Sequence, residues 1–239
     1  MNVKGATVVV TGANRGIGKA LVDEFLAKGA KKVYAAARDT SKLAGWKGDS
    51  RVVPLKIDLA DEGVIAAAAK TASDATILVN NAGALEFGSL LTGSLDAARR
   101  DLETNFFGTL RVIRAFAPVL EKNKPGVIAN LLSVVSWASM PGIGGYSASK
   151  AASHSATLAL RGELGKKGID VLGVYPGPVD TDMAKGIELN KATPEHVAGE
   201  IVKGIENRTH YITPDPMAQQ VYAGWKGDHA AVEAQFGSM

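Results

Sequence analysis

Two side chains four positions apart could exchange a proton with a ligand. Tyr146 and Lys150 lie in the segment Tyr-Ser-Ala-Ser-Lys. If this segment is a helix, they share one face, with their Cβ atoms about 6 Å apart. A free tyrosine has a pKa of about 10, too high for ready proton exchange at neutral pH, and a nearby ammonium group favours the phenolate. The pair is therefore a candidate for general acid–base chemistry.

A serine ahead of this pair distinguishes it from a second pair with the same spacing. Ser133 follows a predicted strand over residues 127–132, so its hydroxyl can reach the edge of a sheet and donate to a carbonyl oxygen. The second pair, Tyr222 and Lys226, has no such serine, and we interpret it as a surface or packing pair. Two later serines are interpreted as loop hydrogen-bonding residues, Ser136 and Ser139.

A glycine-rich turn lies between the first predicted strand and the first predicted helix. Its sequence is Gly12-Ala13-Asn14-Arg15-Gly16-Ile17-Gly18. Glycines allow a tight turn and a close approach of the backbone to a diphosphate, whose charge amide groups at a helix N-terminus can bind. This position between strand and helix is typical of dinucleotide binding.

The end of the second predicted strand should contact the adenosine ribose of such a dinucleotide. An acid there accepts hydrogen bonds from a free 2′-hydroxyl, whereas an arginine binds a 2′-phosphate. Ala37 occupies the position where an acid is expected, Arg38 follows it, and Arg15 can converge on the same phosphate. The sequence therefore favours NADP(H), although Asp39 would reverse this interpretation if the strand ended later.

Short β-branched runs alternate with longer segments of helical spacing along most of the chain. The predicted strands are 7–11, 32–36, 51–56, 76–80, 127–132, 169–175 and 210–213. The predicted helices are 17–28, 62–72, 94–120, 146–165 and 194–207. This alternation predicts one α/β domain over residues 1–239: a doubly wound (Rossmann) parallel sheet of about seven strands with helices on both faces. Residues 178–193 are a candidate substrate lid, and residues 214–239 show no clear periodicity.

Composition excludes several other classes of protein. The 239 residues are 46% hydrophobic and 21% charged, with a net charge of +3. The absence of cysteine excludes disulfides, thiolate nucleophiles and cysteine zinc sites, and the isolated histidines indicate no metal site. Basic residues cluster only in pairs, so no nucleic-acid partner is expected. No apolar run reaches the length of a membrane span, and we expect a cytoplasmic protein.

Taken together, the motifs resemble those of the classical short-chain dehydrogenase/reductases. The glycine turn, Asn80-Asn81-Ala82-Gly83, Asn105, Ser133, the Tyr146/Lys150 pair and Pro176-Gly177 occur in the order and spacing of that family. The resemblance extends from Thr7 to about Met183. It implies an oxidoreductase that moves a hydride between a nicotinamide and a carbonyl carbon.

The resemblance also implies a role for each catalytic position. Tyr146 would be the general acid in reduction and the base in oxidation, and Ser133 would hold the substrate oxygen. Lys150 would lower the pKa of the tyrosine and bond the nicotinamide ribose. Asn105 would position a water that relays protons to the lysine.

Further cofactor contacts follow from the same resemblance. Asp58 resembles the adenine contact, the Asn81-Ala82-Gly83 turn shapes the cofactor site, and Thr181 resembles the residue that bonds the carboxamide. The full set of expected cofactor contacts is Gly12, Asn14, Arg15, Gly16, Ile17, Gly18, Arg38, Asp58, Leu59, Asn81, Ala82, Gly83, Tyr146, Lys150, Pro176, Gly177, Val179 and Thr181.

The sequence favours a small, largely apolar ketone or aldehyde as substrate. No lysine or arginine lies between Ser133 and Tyr146, although Lys185 in the candidate lid could still anchor a carboxylate. The candidate lining residues are Val135, Met140, Met183 and Ile187. Three aromatic residues fit a pocket or core packing equally well, Trp137, Tyr222 and Trp225.

The sequence leaves two other functions open. A 3-oxoacyl carrier-protein reductase would need a basic docking face, for which the candidates are Arg99, Arg100, Arg111 and Arg114. A redox sensor that binds NADP without turnover is the second, and it would have no use for the Ser133, Tyr146 and Lys150 set. The resemblance further implies a homodimer or homotetramer, often built on the long helices before and after the fifth strand.

Overall fold

Seven parallel strands form a single sheet. The computed structural model describes residues 1–239, apart from the side chain of Ala44. The strands are β1 Thr7–Thr11, β2 Lys32–Ala37, β3 Val52–Lys56, β4 Ile77–Asn80, β5 Gly126–Leu131, β6 Ile169–Val174 and β7 Tyr211–Ile212. Their spatial order is β3-β2-β1-β4-β5-β6-β7. The predicted doubly wound sheet is confirmed, and the strand order reverses between β1 and β4, where such folds bind ligands.

Helices cover both faces of this sheet. They are α1 Gly16–Ala27, α2 Glu62–Thr71, α3 Leu95–Leu102, α4 Thr109–Lys122, α5 Gly144–Gly165, α6 Pro194–Glu206, α7 Pro216–Gly227 and α8 His229–Gly237. Val8 and Val10 of β1 pack with Phe25 of α1, whereas Val9 packs on the opposite face with Phe116 of α4. Apolar residues on both faces of a strand are what a sheet between two helical layers requires. No described helix is long and apolar enough to cross a membrane.

The predicted helix over residues 94–120 is continuous but contains a π-helical segment. This segment, Glu103–Gly108, joins α3 to α4, and the residues at its ends keep right-handed helical backbone angles. A Cβ on Gly108 would lie 2.8 Å from the Cβ of Leu59, so the chain passes close to the segment after β3 here. Such π-helical turns are often found at functional sites, and this one contains Asn105.

The C-terminal segment is helical, although its sequence shows no clear periodicity. Asp215 caps α7 by accepting a hydrogen bond from Ala218 N at 2.9 Å, and Asp228 caps α8 in the same manner through Ala231 N at 3.0 Å. Phe236 of α8 is fully buried. The two N-cap aspartates and the proline after Asp215 are typical of helix starts, and they could have predicted these helices from the sequence.

A chain of buried amide and hydroxyl groups connects the sheet to α5. Asn80 Nδ2 of β4 donates to Asn130 Oδ1 of β5 at 2.8 Å, and Asn130 Nδ2 donates to Thr157 Oγ1 of α5 at 3.0 Å. Thr157 in turn donates to the Ser153 carbonyl at 2.7 Å. Because buried polar groups need partners, this chain fixes α5, and the side chains it carries, relative to the sheet.

Substitution Asn130→Ala should destabilise the protein by about 2–4 kcal/mol, because it leaves the Asn80 amide unpaired and opens a small cavity. Chemical denaturation at a single protein concentration measures the change. The exposed Asn190 provides a matched control, since its replacement by alanine should change the free energy of unfolding by less than about 0.5 kcal/mol. Equal stabilities for the two variants would contradict a positioning role for this chain of groups.

Candidate active site

Segments that follow four neighbouring strands meet at the carboxyl edge of the sheet. The glycine turn follows β1, the Asn81–Gly83 turn follows β4, Ser133 follows β5 and Pro176-Gly177 follows β6. Parallel strands end at the same edge, so the fold brings these segments together. A hydrogen bond of 3.1 Å from Val134 N to the Pro176 carbonyl joins the last two segments.

The glycine turn packs so closely on its neighbours that side chains would not fit. A Cβ on Gly18 would lie 2.2 Å from the Gly12 carbonyl oxygen and 2.5 Å from Asn81 Nδ2. Gly16 has a φ of +51°, and a Cβ there would lie 2.9 Å from Thr181 Cγ2. The turn therefore requires glycine and leaves its backbone open to close approach by a ligand.

The N-terminus of α1 has no side chain that caps its amide groups. Arg15 is the N-cap residue, makes no capping bond, and is not followed by an acid in the first turn. Asn14 and Ile17, on either side of it, are half-buried. Free amide groups at the positive end of a helix dipole can bind a diphosphate.

Thr11, which sequence reasoning did not select, holds the turn after β4. Its Oγ1 accepts hydrogen bonds from the amides of Asn81 and Ala82, both at 3.0 Å. Asn81 Nδ2 donates back to the carbonyls of Thr11 at 2.8 Å and Gly12 at 3.2 Å. The position of a hydroxyl side chain directly before the first glycine is the sequence feature that could have identified Thr11.

The end of β2 presents an arginine rather than an acid. Ala37 is the last residue of β2, one residue later than predicted, and Arg38 after it is exposed. Asp39 turns toward Ser41, accepting from its amide at 3.0 Å and its hydroxyl at 2.6 Å, and these bonds hold the pKa of its carboxyl below the usual value. Although β2 ends one residue later than predicted, the residue that directly follows it is Arg38, and the Asp39 carboxylate stabilises its own turn. The preference for NADP(H) stays a prediction.

Tyr146 and Lys150 lie on one face of α5, as predicted. Lys150 Nζ is 5.5 Å from the centroid of the Tyr146 ring. The ammonium group is buried and donates to the carbonyl of Leu131, the last residue of β5, at 2.7 Å. A Cβ on Gly83 would lie 3.8 Å from Nζ. The lysine is thus fixed between β5 and the turn after β4.

Ser133 is buried two residues beyond β5 and is held by its neighbours. Its Oγ accepts from Val135 N at 3.3 Å and donates to the Pro176 carbonyl at 3.4 Å. Ser136 Oγ accepts from Ser133 N at 3.2 Å, in agreement with its predicted role in the loop. Ser139 is exposed.

The pKa of Tyr146 is raised, contrary to the expectation of a lowered value. Desolvation disfavours the phenolate and outweighs the effect of the Ser133 side chain, which lowers the pKa by hydrogen bonding. Desolvation also lowers the pKa of Lys150 to about 8. The carboxylate of Asp101 raises the pKa of both groups. The burial of Tyr146, which raises its pKa, could not be predicted from the sequence.

Asn105 joins the turn after β4 to α5. Its Nδ2 donates to the Ala84 carbonyl and to Ser149 Oγ, both at 2.9 Å, and its Oδ1 accepts from Ala84 N at 2.9 Å. Its own carbonyl, within the π-helical segment, accepts from Ser153 Oγ at 3.1 Å. The side chain is therefore a structural bridge beside Lys150.

Two predicted adenine-side residues lie after β3. Asp58 Oδ1 accepts from Ala60 N at 3.1 Å, so the carboxylate closes its own turn. The carbonyl of Leu59 accepts from Arg111 Nη1 at 3.2 Å. The adenine contact of Asp58 stays a prediction.

Segment 176–181 approaches the glycine turn from the β6 side. Val179 is buried, and Thr181 Oγ1 donates to its carbonyl at 3.3 Å. Asp215, which the sequence reasoning missed, accepts from Gly177 N at 2.8 Å while capping α7. The C-terminal helices thus help to hold the segment that follows β6.

The candidate substrate residues divide into exposed and packed groups. Val135 is buried, Met140 and Ile187 are half-buried, and Met183 is 39% exposed. Trp137 stacks on Tyr175 at a centroid distance of 4.1 Å. It also stacks with residues of α7, Tyr222 at 5.2 Å and Trp225 at 5.7 Å. These aromatic side chains pack the C-terminal helices against the loop after β5.

Comparisons with known proteins agree with this architecture. The family model for short chain dehydrogenase matches residues 6–192. A relative in Schizosaccharomyces pombe, called NADP-dependent 3-hydroxy acid dehydrogenase, is 31% identical over 92% of this chain and 94% of its own. The chain spans 60% of the length of a 33% identical relative in Mus musculus, called dehydrogenase/reductase SDR family member 7B.

Solved structures match along nearly the whole chain. A short chain dehydrogenase from Burkholderia cenocepacia in complex with NADP has a TM-score of 0.94 and 36% identity, covering 99% of each chain. A short chain dehydrogenase/reductase from Burkholderia phymatum in complex with NAD has a TM-score of 0.88 at 24% identity, covering 100% of this chain and 98% of its own, which shows the fold alone. With the family model matching most of its length, the chain belongs to the short-chain dehydrogenase family of oxidoreductases.

Proposed function

We propose that this protein is an NADPH-dependent oxidoreductase that reduces a small, neutral, largely apolar ketone or aldehyde to the alcohol. The supporting observation is that Ser133, Tyr146 and Lys150 are held at the same sheet edge as the glycine turn. A hydroxyl that donates, a phenol that carries a proton and a fixed ammonium group are the groups that carbonyl reduction requires.

The residues at this edge fit a dinucleotide. The uncapped N-terminus of α1 and the close-packed glycines suit a diphosphate. The turn at Asn81–Gly83 and the segment from Pro176 to Thr181 would hold the nicotinamide half. When bound, the nicotinamide supplies the hydride, and the protein supplies alignment and the proton.

Preference for the 2′-phosphorylated cofactor rests on the end of β2. Arg38 is exposed directly after Ala37, and Asp39 is held by Ser41. Arg15 is 66% exposed and pairs with Asp182 at 3.2 Å, a surface contact of small strength. Both arginines are thus available to a phosphate. The relative in S. pombe and the B. cenocepacia structure carry NADP in their names, whereas the B. phymatum neighbour carries NAD.

Each catalytic side chain has a distinct task in this proposal. Ser133 donates to the substrate oxygen and aligns the carbonyl. Tyr146, whose raised pKa keeps the phenol protonated, gives its proton to that oxygen as negative charge develops. Lys150, fixed by the Leu131 carbonyl, places a positive charge beside the resulting phenolate. Burial of the group strengthens this electrostatic interaction.

The arginines considered for a carrier-protein docking face are mostly paired. Arg99 lies 2.7 Å from Asp96, Arg100 lies 3.2 Å from Glu86, and Arg111 lies 2.5 Å from Glu103. With Asp96, Glu86 and Glu103 interspersed among these arginines, the net positive charge of this face is small, which weakens the carrier-protein alternative. The site contains Ser133, Tyr146 and Lys150, for which a redox sensor without turnover has no use. The sensor alternative therefore gains no support.

A 3-hydroxy acid substrate is the second candidate, favoured by the name of the S. pombe relative. Lys185 is the available anchor for its carboxylate: the side chain is 78% exposed and pairs with Asp182 in the segment after β6. The leading proposal, in contrast, gives a substrate carboxylate no cationic partner, so a substrate that carries one should be reduced more slowly.

Substitution Tyr146→Phe should lower kcat of carbonyl reduction by about 10²- to 10⁴-fold, because it removes the proton donor and little else. The Kd for NADPH, measured by fluorescence titration, should remain close to that of the wild type. Tyr222→Phe is the matched control, since this tyrosine has the same spacing to a lysine but packs against Trp137. Retained turnover in the Tyr146 variant would remove this phenol from the mechanism.

Substitution Arg38→Ala should weaken NADPH binding by about 10- to 100-fold, the strength of a lost charge-assisted hydrogen bond. NADH binding should change little, because it lacks the 2′-phosphate. Arg114→Ala, which removes an exposed arginine on α4, is the control. Equal losses for both cofactors would count against the NADPH preference.

A substrate pair separates the two candidate substrate classes. A 3-oxo acid and its methyl ester differ at the carboxylate and share the reacting carbonyl. The leading proposal expects a higher kcat/KM for the ester, and Lys185→Ala should leave that value unchanged. A preference for the acid that is lost in Lys185→Ala would establish the second candidate instead.

A further inference from the structure

Asp101 is a buried carboxylate that the proposed mechanism leaves without a task. It lies in α3 and is 0% exposed. Its Oδ1 accepts from Glu86 N at 3.1 Å, and its Oδ2 has no hydrogen-bond partner among the described residues. A buried carboxylate oxygen without a donor destabilises a fold, so packing alone does not explain an acid at this position.

The carboxylate faces the first turn of α5. A Cβ on Gly145 would lie 3.3 Å from Asp101 Oδ2, and Gly145 directly precedes the active-site tyrosine. One turn after Asp101, Asn105 bonds to Ser149, the residue directly before the active-site lysine. The same face of one helix therefore contacts α5 beside the tyrosine and beside the lysine. α5 has no side chain capping its N-terminus and no acid in its first turn.

The charge of Asp101 acts on both catalytic groups. A negative charge stabilises protonated neighbours, so it raises the pKa of the Tyr146 phenol and of the Lys150 ammonium. The other charges facing Asp101 are Glu86, in the segment before α3, and Arg100 on α3 itself. Glu86 is half-buried, Arg100 is exposed, and the two pair at 3.2 Å, so their opposite charges partly offset each other at the site.

We propose that Asp101, a buried carboxylate held against the first turn of α5 beside Tyr146, is a positioning residue for proton transfer whose negative charge sets the pH range of the reaction. This inference rests on the proposed function, in which the phenol donates the proton. Burial raises the pKa of Asp101 itself to about 6. Its charge is therefore present at pH 7 and is lost as the pH falls through about 6.

Substitution Asp101→Asn tests the proposal, because asparagine keeps the shape and can still accept from Glu86 N. NMR of protein labelled with ¹³C in lysine follows the titration of Lys150, assigned with Lys150→Arg. The pKa of Lys150, about 8 in the wild type, should fall by about one unit. The alkaline limb of reductase kcat/KM should move to lower pH. An unchanged Lys150 titration would overturn the proposal.

A matched control and a wild-type measurement complete the test. Asp96→Asn removes an exposed carboxylate from the same helix, paired with Arg99, and should leave the Lys150 titration in place. In the wild type, the Lys150 resonance should show a second inflection near pH 6 as Asp101 titrates, and its absence would refute the proposal even if Asp101→Asn fails to fold. The NMR titrations need no turnover, so they separate failure of this inference from failure of the proposed reaction.

Discussion

Lys150 places an ammonium group where little water can solvate it, and much of the site follows from that constraint. Desolvation lowers its pKa, so the surroundings must provide compensating oxygen atoms and negative charge. The Leu131 carbonyl oxygen, 2.7 Å from Lys150 Nζ, accepts a hydrogen bond from the ammonium group. Asp101 provides the negative charge. Gly83 leaves room for Asn105 beside the group, because a Cβ at Gly83 would lie 3.0 Å from Asn105 Oδ1. A charged group in a dry site acts strongly on its neighbours, which supports the proposal that the tyrosine beside it donates a proton.

Side chains that bond to the backbone of a neighbouring segment give the site its rigidity. Thr11 binds the turn after β4, Asn105 binds that turn and α5, and Asp215 binds the segment after β6. Each of them connects two segments that are distant in sequence and adjacent in space. Backbone groups held in this way lose little freedom on ligand binding, so the site is largely organised in advance.

The fold and the central residues of the site were accessible to sequence reasoning. Strand and helix periodicity predicted the parallel sheet, and the strand before the glycine turn predicted its place at the carboxyl edge. The four-residue spacing of Tyr146 and Lys150 predicted a shared helix face, which the structure has. The helices α7 and α8 were missed because their apolar residues do not follow one clear stripe. The π-helical segment at Glu103–Gly108 was missed because the apolar spacing runs through it without a proline or other break.

By itself, the sequence determined the order of the elements and the chemical identity of the groups at the sheet edge, since both depend on local periodicity and on residue type. The tertiary structure decided the pKa direction of Tyr146, the burial of Asp101 and the contacts of Thr11, Asn105 and Asp215. These properties depend on which distant segments surround a side chain and exclude water from it. Desolvation and long-range hydrogen bonding have no signature in the spacing of residues along the chain, so they become visible only when the helices have packed on the sheet.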